Sequence, residues 1–291
     1  MFNIKKRYLI INILLIFLSI IIIPSLATSK VKDSSLSTEQ STDVVPPIIK
    51  PNQQNEQLIK KYFAPILVFH HIGNAPLTAD KGTKGLFVDE SNFEKILAEL
   101  QKNNYHSVFA SEVADYLVEG KKLPENIVSL NFDDGYEDFY TQAFPLLKKY
   151  NMSADLFVIT GMTGGDYLTE DQIQEIDKSN LVEIGSHTVS HAQLPKLKKE
   201  EQIKELEESK KTLEKLLNKK IELICYPYGA YNKQVEDLAK LAGYKYGFTY
   251  NQKPLSDTTD VFAIDRTSVW QGKDVIKFLD GIKKMNSKIR L

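Results

Sequence analysis

The sequence predicts an α/β fold built on a parallel β-sheet, and three observations predict it. Short, continuously apolar runs alternate with longer stretches whose apolar residues recur at helical spacing. Polar, chemically capable clusters fall where the apolar runs end, as they do in parallel sheets whose sites gather at the carboxyl ends of strands. At 42% hydrophobic and 10% aromatic residues, the chain can close a real core.

Pro65-Ile66-Leu67-Val68-Phe69 is the first strand, apolar on both faces. Ser91 to Asn103 places Phe93, Ile96, Leu97 and Leu100 on one helical face, and Ser91-Asn92-Phe93-Glu94 offers a capping box. Ser107-Val108-Phe109 is a strand and Ser111 to Glu119 a helix. Ile127 to Phe132 is another buried strand, and Tyr140 to Tyr150 is helical with Pro145 a local irregularity. A strand from Ala154 to Thr160 precedes a helix from Thr169, its cap, to Lys178. Val182 to Gly185 is a short strand, and Lys199 to Leu217 a long amphipathic helix with a solvated Lys/Glu face. Ile221 to Tyr226 is a strand, Lys233 to Ala242 a helix, Tyr246 to Tyr250 a strand and Asp274 to Lys284 the last helix.

The N-terminus reads differently. Lys5-Lys6-Arg7 precede an apolar run from Tyr8 to Ile23, followed by the small-residue site Ser25-Leu26-Ala27, the pattern of a secretory signal. The run is about 16 residues, short of the roughly 20 that span a bilayer comfortably, but with Phe2 and Leu26 it just spans as an uncleaved anchor. Residues 1–27 are therefore expected to be a signal peptide or membrane-anchor helix. The product is expected to be exported: extracellular, at the cell surface, or membrane-anchored facing outside. Residues 28–61 are rich in Ser, Thr, Gln, Asn and Pro, cannot bury a core, and are expected to be a flexible polar linker. Residues 62–291 are then one catalytic domain.

Counts exclude several classes. One cysteine, Cys225, rules out an intrachain disulfide framework and a cysteine-rich zinc site, and it reads as a packed thiol in an apolar strand. With 37 Lys+Arg against 38 Asp+Glu, the chain is not a basic nucleic-acid binder. Cleavage after Ala27 removes three cations and no acids, taking the formal charge from -1 to -4. No protein partner is implied, and no Gly-x-Ser-x-Gly suggests a serine nucleophile.

Four clusters carry chemistry. Asp133-Asp134 ends an apolar strand; two buried carboxylates need compensation, and a divalent cation supplies it, although Asp-Asp-Gly is also an ordinary turn. Adjacent side chains on extended backbone diverge, so one carboxylate can bind metal while the other faces another partner. His187 and His191 are four apart, a spacing that puts both imidazoles on one face of a helical turn, unless they are chance surface histidines. Two histidines and one carboxylate leave coordination positions open, as in a catalytic zinc-type site. His70 and His71 follow the first strand, where a histidine is either an acid–base group or a packed side chain, and successive residues cannot share one role. Tyr226-Pro227-Tyr228-Gly229 is a rigid turn that can aim an N–H at an oxyanion or simply turn the chain.

Together and in this order, Asn131-Phe132-Asp133-Asp134-Gly135, Ser186-His187-Thr188-Val189-Ser190-His191 and Tyr226-Pro227-Tyr228-Gly229 resemble the polysaccharide deacetylases, the NodB-homology domain or carbohydrate esterase family four. The resemblance covers about residues 64–270. It implies a distorted (β/α) barrel of about seven parallel strands, the NodB-homology fold. It assigns Asp133 as catalytic base, Asp134, His187 and His191 as metal ligands, and Tyr228 as the oxyanion-binding N–H. The metal expected is Zn²⁺, with Co²⁺ or Ni²⁺ also suited. The family's usual arginine before the Pro-Tyr motif is replaced by Cys225-Tyr226, and no histidine follows His191. Both gaps resemble the biofilm poly-N-acetylglucosamine deacetylase branch, where a histidine near the domain start is the acid. Phe69-His70-His71-Ile72 looks like that branch's Tyr-His motif with Phe in place of Tyr, favouring His70 over His71, and Arg266 can supply the missing cation.

The implied activity is metal-dependent removal of N-acetyl groups from N-acetylglucosamine residues of an extracellular or cell-wall polysaccharide, poly-N-acetylglucosamine or peptidoglycan, with release of acetate. The alternatives are a xylan-type O-acetyl carbohydrate esterase and a non-catalytic polysaccharide-binding relative. The expected partners are that polysaccharide and, if the signal is uncleaved, the membrane.

Overall fold

A computed structural model describes residues 65–250 and 260–289, apart from 120, 122 and 125. The expected signal or anchor over 1–27 and the linker over 28–61 lie outside the described residues. Among the described residues no helix is long and apolar enough to cross a membrane.

The strands are β1 (Ile66–Phe69), β2 (His71–Ile72), β3 (Phe87–Val88), β4 (His106–Ser107), β5 (Ile127–Phe132), β6 (Ala154–Val158), β7 (Val182–Ser186), β8 (Leu223–Cys225), β9 (Tyr246–Phe248) and β10 (Thr267–Ser268). The helices are α1 (Lys81–Lys84), α2 (Glu90–Lys102), α3 (Ala110–Glu119), α4 (Phe144–Tyr150), α5 (Glu170–Lys178), α6 (Lys199–Leu217), α7 (Lys233–Leu241) and α8 (Val275–Ile289). The main sheet runs β10-β1-β5-β6-β7-β8-β9 and every pairing is parallel, with β4 added to β5. Ile264, just before β10, also makes a parallel bridge to Phe248 of β9. One short segment thus touches both ends of the seven-strand path and curls it into the expected distorted barrel.

Strand parity divides the core. Ile66, Ile127, Phe157, Leu223, Tyr246, Phe248 and Ile264 gather on the inner face with Val113 and Leu117 of α3. Leu67, Phe69, Leu130, Phe132, Leu156 and Ile184 face outward against the other helices. Both faces of the central strands are therefore buried, and the inner face also takes in the polar Ser129, Asn131 and Asp155.

Four local expectations change. Helix α2 is capped by Asp89, whose carboxylate accepts from Asn92 N at 2.7 Å; Ser91 lies inside the helix and its hydroxyl bonds Asp89. The irregularity near Pro145 is a π-turn over Phe139–Ala143 that precedes α4. Pro145 has no N–H to continue the α-helical ladder, and the wider turn carries the chain past that gap. Residues 108 and 109 fall outside β4, 159 and 160 outside β6, 221, 222 and 226 outside β8, and 249 and 250 outside β9. The fourth change concerns His187 and His191.

Candidate active site

The candidate side chains gather on the inner face, most of them at or just beyond strand ends. Ser129, Asn131 and Asp133 share the inward parity of Ile127, as Cys225 shares that of Leu223 and Arg266 that of Ile264. His70 continues the inward parity of Ile66, whereas His71 continues the outward parity of Leu67 and Phe69. The two histidines accordingly separate. His71 is sandwiched between the rings of Phe87 at 4.1 Å and Tyr136 at 3.6 Å, and its Nδ1 is 2.6 Å from Asp138 Oδ2. His70 is partly buried among the site's charges, its ring 6.4 Å from that of Tyr250. Burial pushes the His70 pKa down, and the nearby Asp133 and Asp134 charges only partly offset it.

Asp133 and Asp134 face different partners. Arg266 Nη1 donates to Asp133 Oδ1 at 2.8 Å and Nη2 to Oδ2 at 2.7 Å. Both side chains are buried, and Arg266 Nε also donates to Thr249 O at 3.1 Å. Burial opposes ionisation of Asp133, but the Arg266 charge and its hydrogen bonds outweigh it, so the carboxyl lies below its ordinary pKa. Cys225 is more than a packed thiol: its Sγ lies 2.8 Å from Arg266 Nη2 and 3.6 Å from Asp133 Oδ2. At Cys225, beside the Tyr226 turn where the resemblance would put an arginine, the small side chain borders a guanidinium that comes instead from the segment before β10.

Asp134 turns the other way. Its φ of 75° takes the chain out of the strand, so the divergence comes from a left-handed residue and not from extended backbone. Asp134 Oδ1 is buried, has no hydrogen-bond partner among the described residues, and lies 3.3 Å from both His187 Nε2 and His191 Nε2. The histidines do not sit on a helical turn. The loop after β7 is irregular, with Thr188 at φ 66° and His191 at φ 58°. The chain packs against the turn that follows β6, where Thr160 N donates to Thr188 O at 3.1 Å and Gly161 N to Val189 O at 2.8 Å. A Cβ on Gly161 would stand 2.5 Å from that Val189 oxygen, so only glycine permits the approach.

This donor set fits a divalent metal. Ligand atoms of Asp134, His187 and His191 all lie within 4.8 Å of one another. His187 Nδ1 is 2.8 Å from Cys225 O, a contact that places the proton on Nδ1 and leaves the Nε2 lone pair facing Asp134. A carboxylate oxygen with no donor between two inward imidazole nitrogens is the arrangement a cation would complete.

Tyr228 adopts φ 60°, ψ 11° in the short turn Pro227–Gly229, and its exposed ring lies 4.5 Å from that of His191. Behind Arg266, Asn131 Oδ1 accepts from Nη1 at 3.4 Å while its Nδ2 donates to Asp155 Oδ2 at 2.8 Å. Asp155 also accepts from Ser129 Oγ and Ala110 N. Sequence reasoning missed Asn131, Asp155 and the part played by Cys225; their inward strand parity was the available signal.

A parallel barrel with an aspartate pair and two histidines at its strand ends defines a hydrolase of the polysaccharide deacetylase class. The polysaccharide deacetylase family matches residues 120–247. The chain belongs to this family. YxkH of Bacillus subtilis is 33% identical over 209 residues, covering 72% of this chain and 72% of the relative. A poly-β-1,6-N-acetyl-D-glucosamine N-deacetylase of Staphylococcus aureus is 32% identical over 203 residues, covering 65% of this chain and 70% of the relative. Among solved structures, the deacetylase PplD of Streptococcus pyogenes in complex with acetate aligns with TM-score 0.70 at 29% identity, covering 76% of this chain and 99% of that one.

Proposed function

We propose that this polysaccharide deacetylase is a metal-dependent N-deacetylase acting on N-acetylglucosamine residues of an extracellular or cell-wall polysaccharide and releasing acetate. One observation carries the reading: adjacent carboxylates divide, Asp134 toward two imidazoles and Asp133 toward Arg266. Asp134, His187 and His191 would hold the ion. A divalent ion there would polarise the acetamide carbonyl and acidify a water; Zn²⁺, Co²⁺ and Ni²⁺ all suit the ligand set. Asp133, kept ionised and aimed by Arg266, accepts the proton of the attacking water. The Tyr228 N–H donates to the carbonyl oxygen as negative charge builds on it. His70, on the same inner face, protonates the departing amine. The S. aureus relative's name supports poly-N-acetylglucosamine as the polymer. The N-terminal cationic and apolar pattern supports export, with the polar stretch over 28–61 as tether.

Acetate release from purified poly-N-acetylglucosamine, peptidoglycan and O-acetylated xylan, each with and without chelator, tests the reading. Chelator-sensitive release from an N-acetylated polymer is expected. Release from O-acetylated xylan alone would replace it with an esterase, and release unaffected by chelation would remove the metal.

A further inference from the structure

Helix α6 carries three polar side chains at helical spacing, Gln202, Glu205 and Ser209, and all three bind one stretch of chain. Ser209 Oγ is 2.7 Å from Ser186 Oγ at the end of β7. Glu205 Oε2 accepts from Val189 N and Ser190 N, both at 2.9 Å, and Oε1 accepts from Ser190 Oγ at 2.6 Å. Gln202 Nε2 donates to Leu194 O at 2.9 Å and Leu197 O at 3.1 Å. Gln202 and Ser209 are buried, on a helix face that would ordinarily be apolar. Hydrophobic contact is given up there, and the gain is hydrogen bonding for a loop with no regular structure of its own.

That loop carries His187 and His191 and needs holding. Thr188 and His191 both sit in the left-handed region, which non-glycine residues keep only where the surroundings over-determine it. The bonds within the loop, Thr188 N to Ser186 Oγ at 3.2 Å and His191 N to Thr188 Oγ1 at 3.1 Å, leave Val189 N and Ser190 N to be satisfied from outside. Glu205 satisfies both.

We propose that Glu205 is a positioning residue for the metal centre. Its carboxylate spans the two backbone N–H groups between the histidines and so sets the spacing of their Nε2 atoms. The proposal rests on the reading of Asp134, His187 and His191 as metal ligands. Glu205 touches none of them and acts through the backbone.

Calorimetric Zn²⁺ titration of the full chain, with the visible spectrum of the Co²⁺ form, tests this on the parent, Glu205→Ala, Glu205→Gln and Ser190→Ala. Glu205→Ala is expected to weaken Zn²⁺ binding by roughly 10- to 100-fold and to shift the Co²⁺ bands. Glu205→Gln keeps a carbonyl oxygen for the two N–H groups and is expected to restore most of the affinity. Ser190→Ala loses only the hydroxyl bond and should fall between, which keeps the test open if Glu205→Ala does not fold. A purely structural role would lower stability and leave metal affinity unchanged. Parental Zn²⁺ affinity and Co²⁺ spectrum in a folded Glu205→Ala or Ser190→Ala chain would overturn the proposal. A parent that binds neither ion would instead overturn the ligand reading, and the clamp with it.

Discussion

Arg266 grips both carboxylate oxygens of Asp133, at 2.8 and 2.7 Å, from 133 residues further along the chain. The pair is buried, so each charge depends on the other. Arg266→Ala would leave an uncompensated carboxylate, at a cost of roughly 3–5 kcal/mol. Urea denaturation should show that loss, and turnover should fall with it. Arg266→Lys keeps the charge without the fork and should lie between. An alanine variant as stable as the parent would show that the pair does not act as a unit.

Asp133 and Asp134 should separate experimentally as they do in space. Asp133→Asn should keep parental Zn²⁺ affinity and lose about 10²–10⁴ in turnover, the usual worth of a positioned base. His187→Ala should lose Zn²⁺ affinity itself. Dialysis against chelator should abolish acetate release from the parent, and added Zn²⁺ or Co²⁺ should restore it there but not in His187→Ala. If Asp133→Asn turns over at the parental rate, another group is the base.

The neighbours His70 and His71 should give opposite phenotypes. His70→Ala should lower kcat by about 10²-fold or more with little change in stability. His71→Ala removes a ring stacked on Phe87 and Tyr136 and the partner of Asp138, and should lower stability by about 1–2 kcal/mol. Thermal unfolding and acetate release on the two variants check this. Equal kcat losses would show that the inner and outer faces are not functionally distinct.

Asp115, outside the site, should make stability depend on acid. Burial opposes its ionisation, but hydrogen bonds from Lys121, Lys245 and Tyr246 outweigh it and bring its pKa to about 2. The unfolded chain binds the proton at higher pH than the folded one, so this contribution is present above about pH 4 and lost as pH falls toward about 2. Asp115→Asn should therefore cost about 1–2 kcal/mol at pH 7 and almost nothing near pH 2. Urea unfolding across that range measures it, and a pH-independent difference would mean that the ion pairs contribute little.

Much of this was legible in the residues. The six residues from Ile127 to Phe132 are bounded as expected because a central parallel strand is buried at every position. Burial on both faces leaves no solvent side to separate His70 from His71 by pattern alone; the two core clusters put them on opposite faces. The four-residue spacing of His187 and His191 suggested a helical turn, but Thr188 and His191 take a conformation their side chains disfavour, and no local pattern announces it. Glu205 looked like one more acid in the Lys/Glu run of α6; only the folded neighbourhood of β7 separates it from the solvated ones.

The bridge from Ile264 to Phe248 lies two residues before Arg266, so shutting the sheet and delivering the guanidinium are one event. A chain emerging from the ribosome acquires Asp134, His187 and His191 long before it acquires the counterion for Asp133. Until that guanidinium arrives Asp133 has no partner to aim it, so hydrolytic power would wait on closure of the sheet.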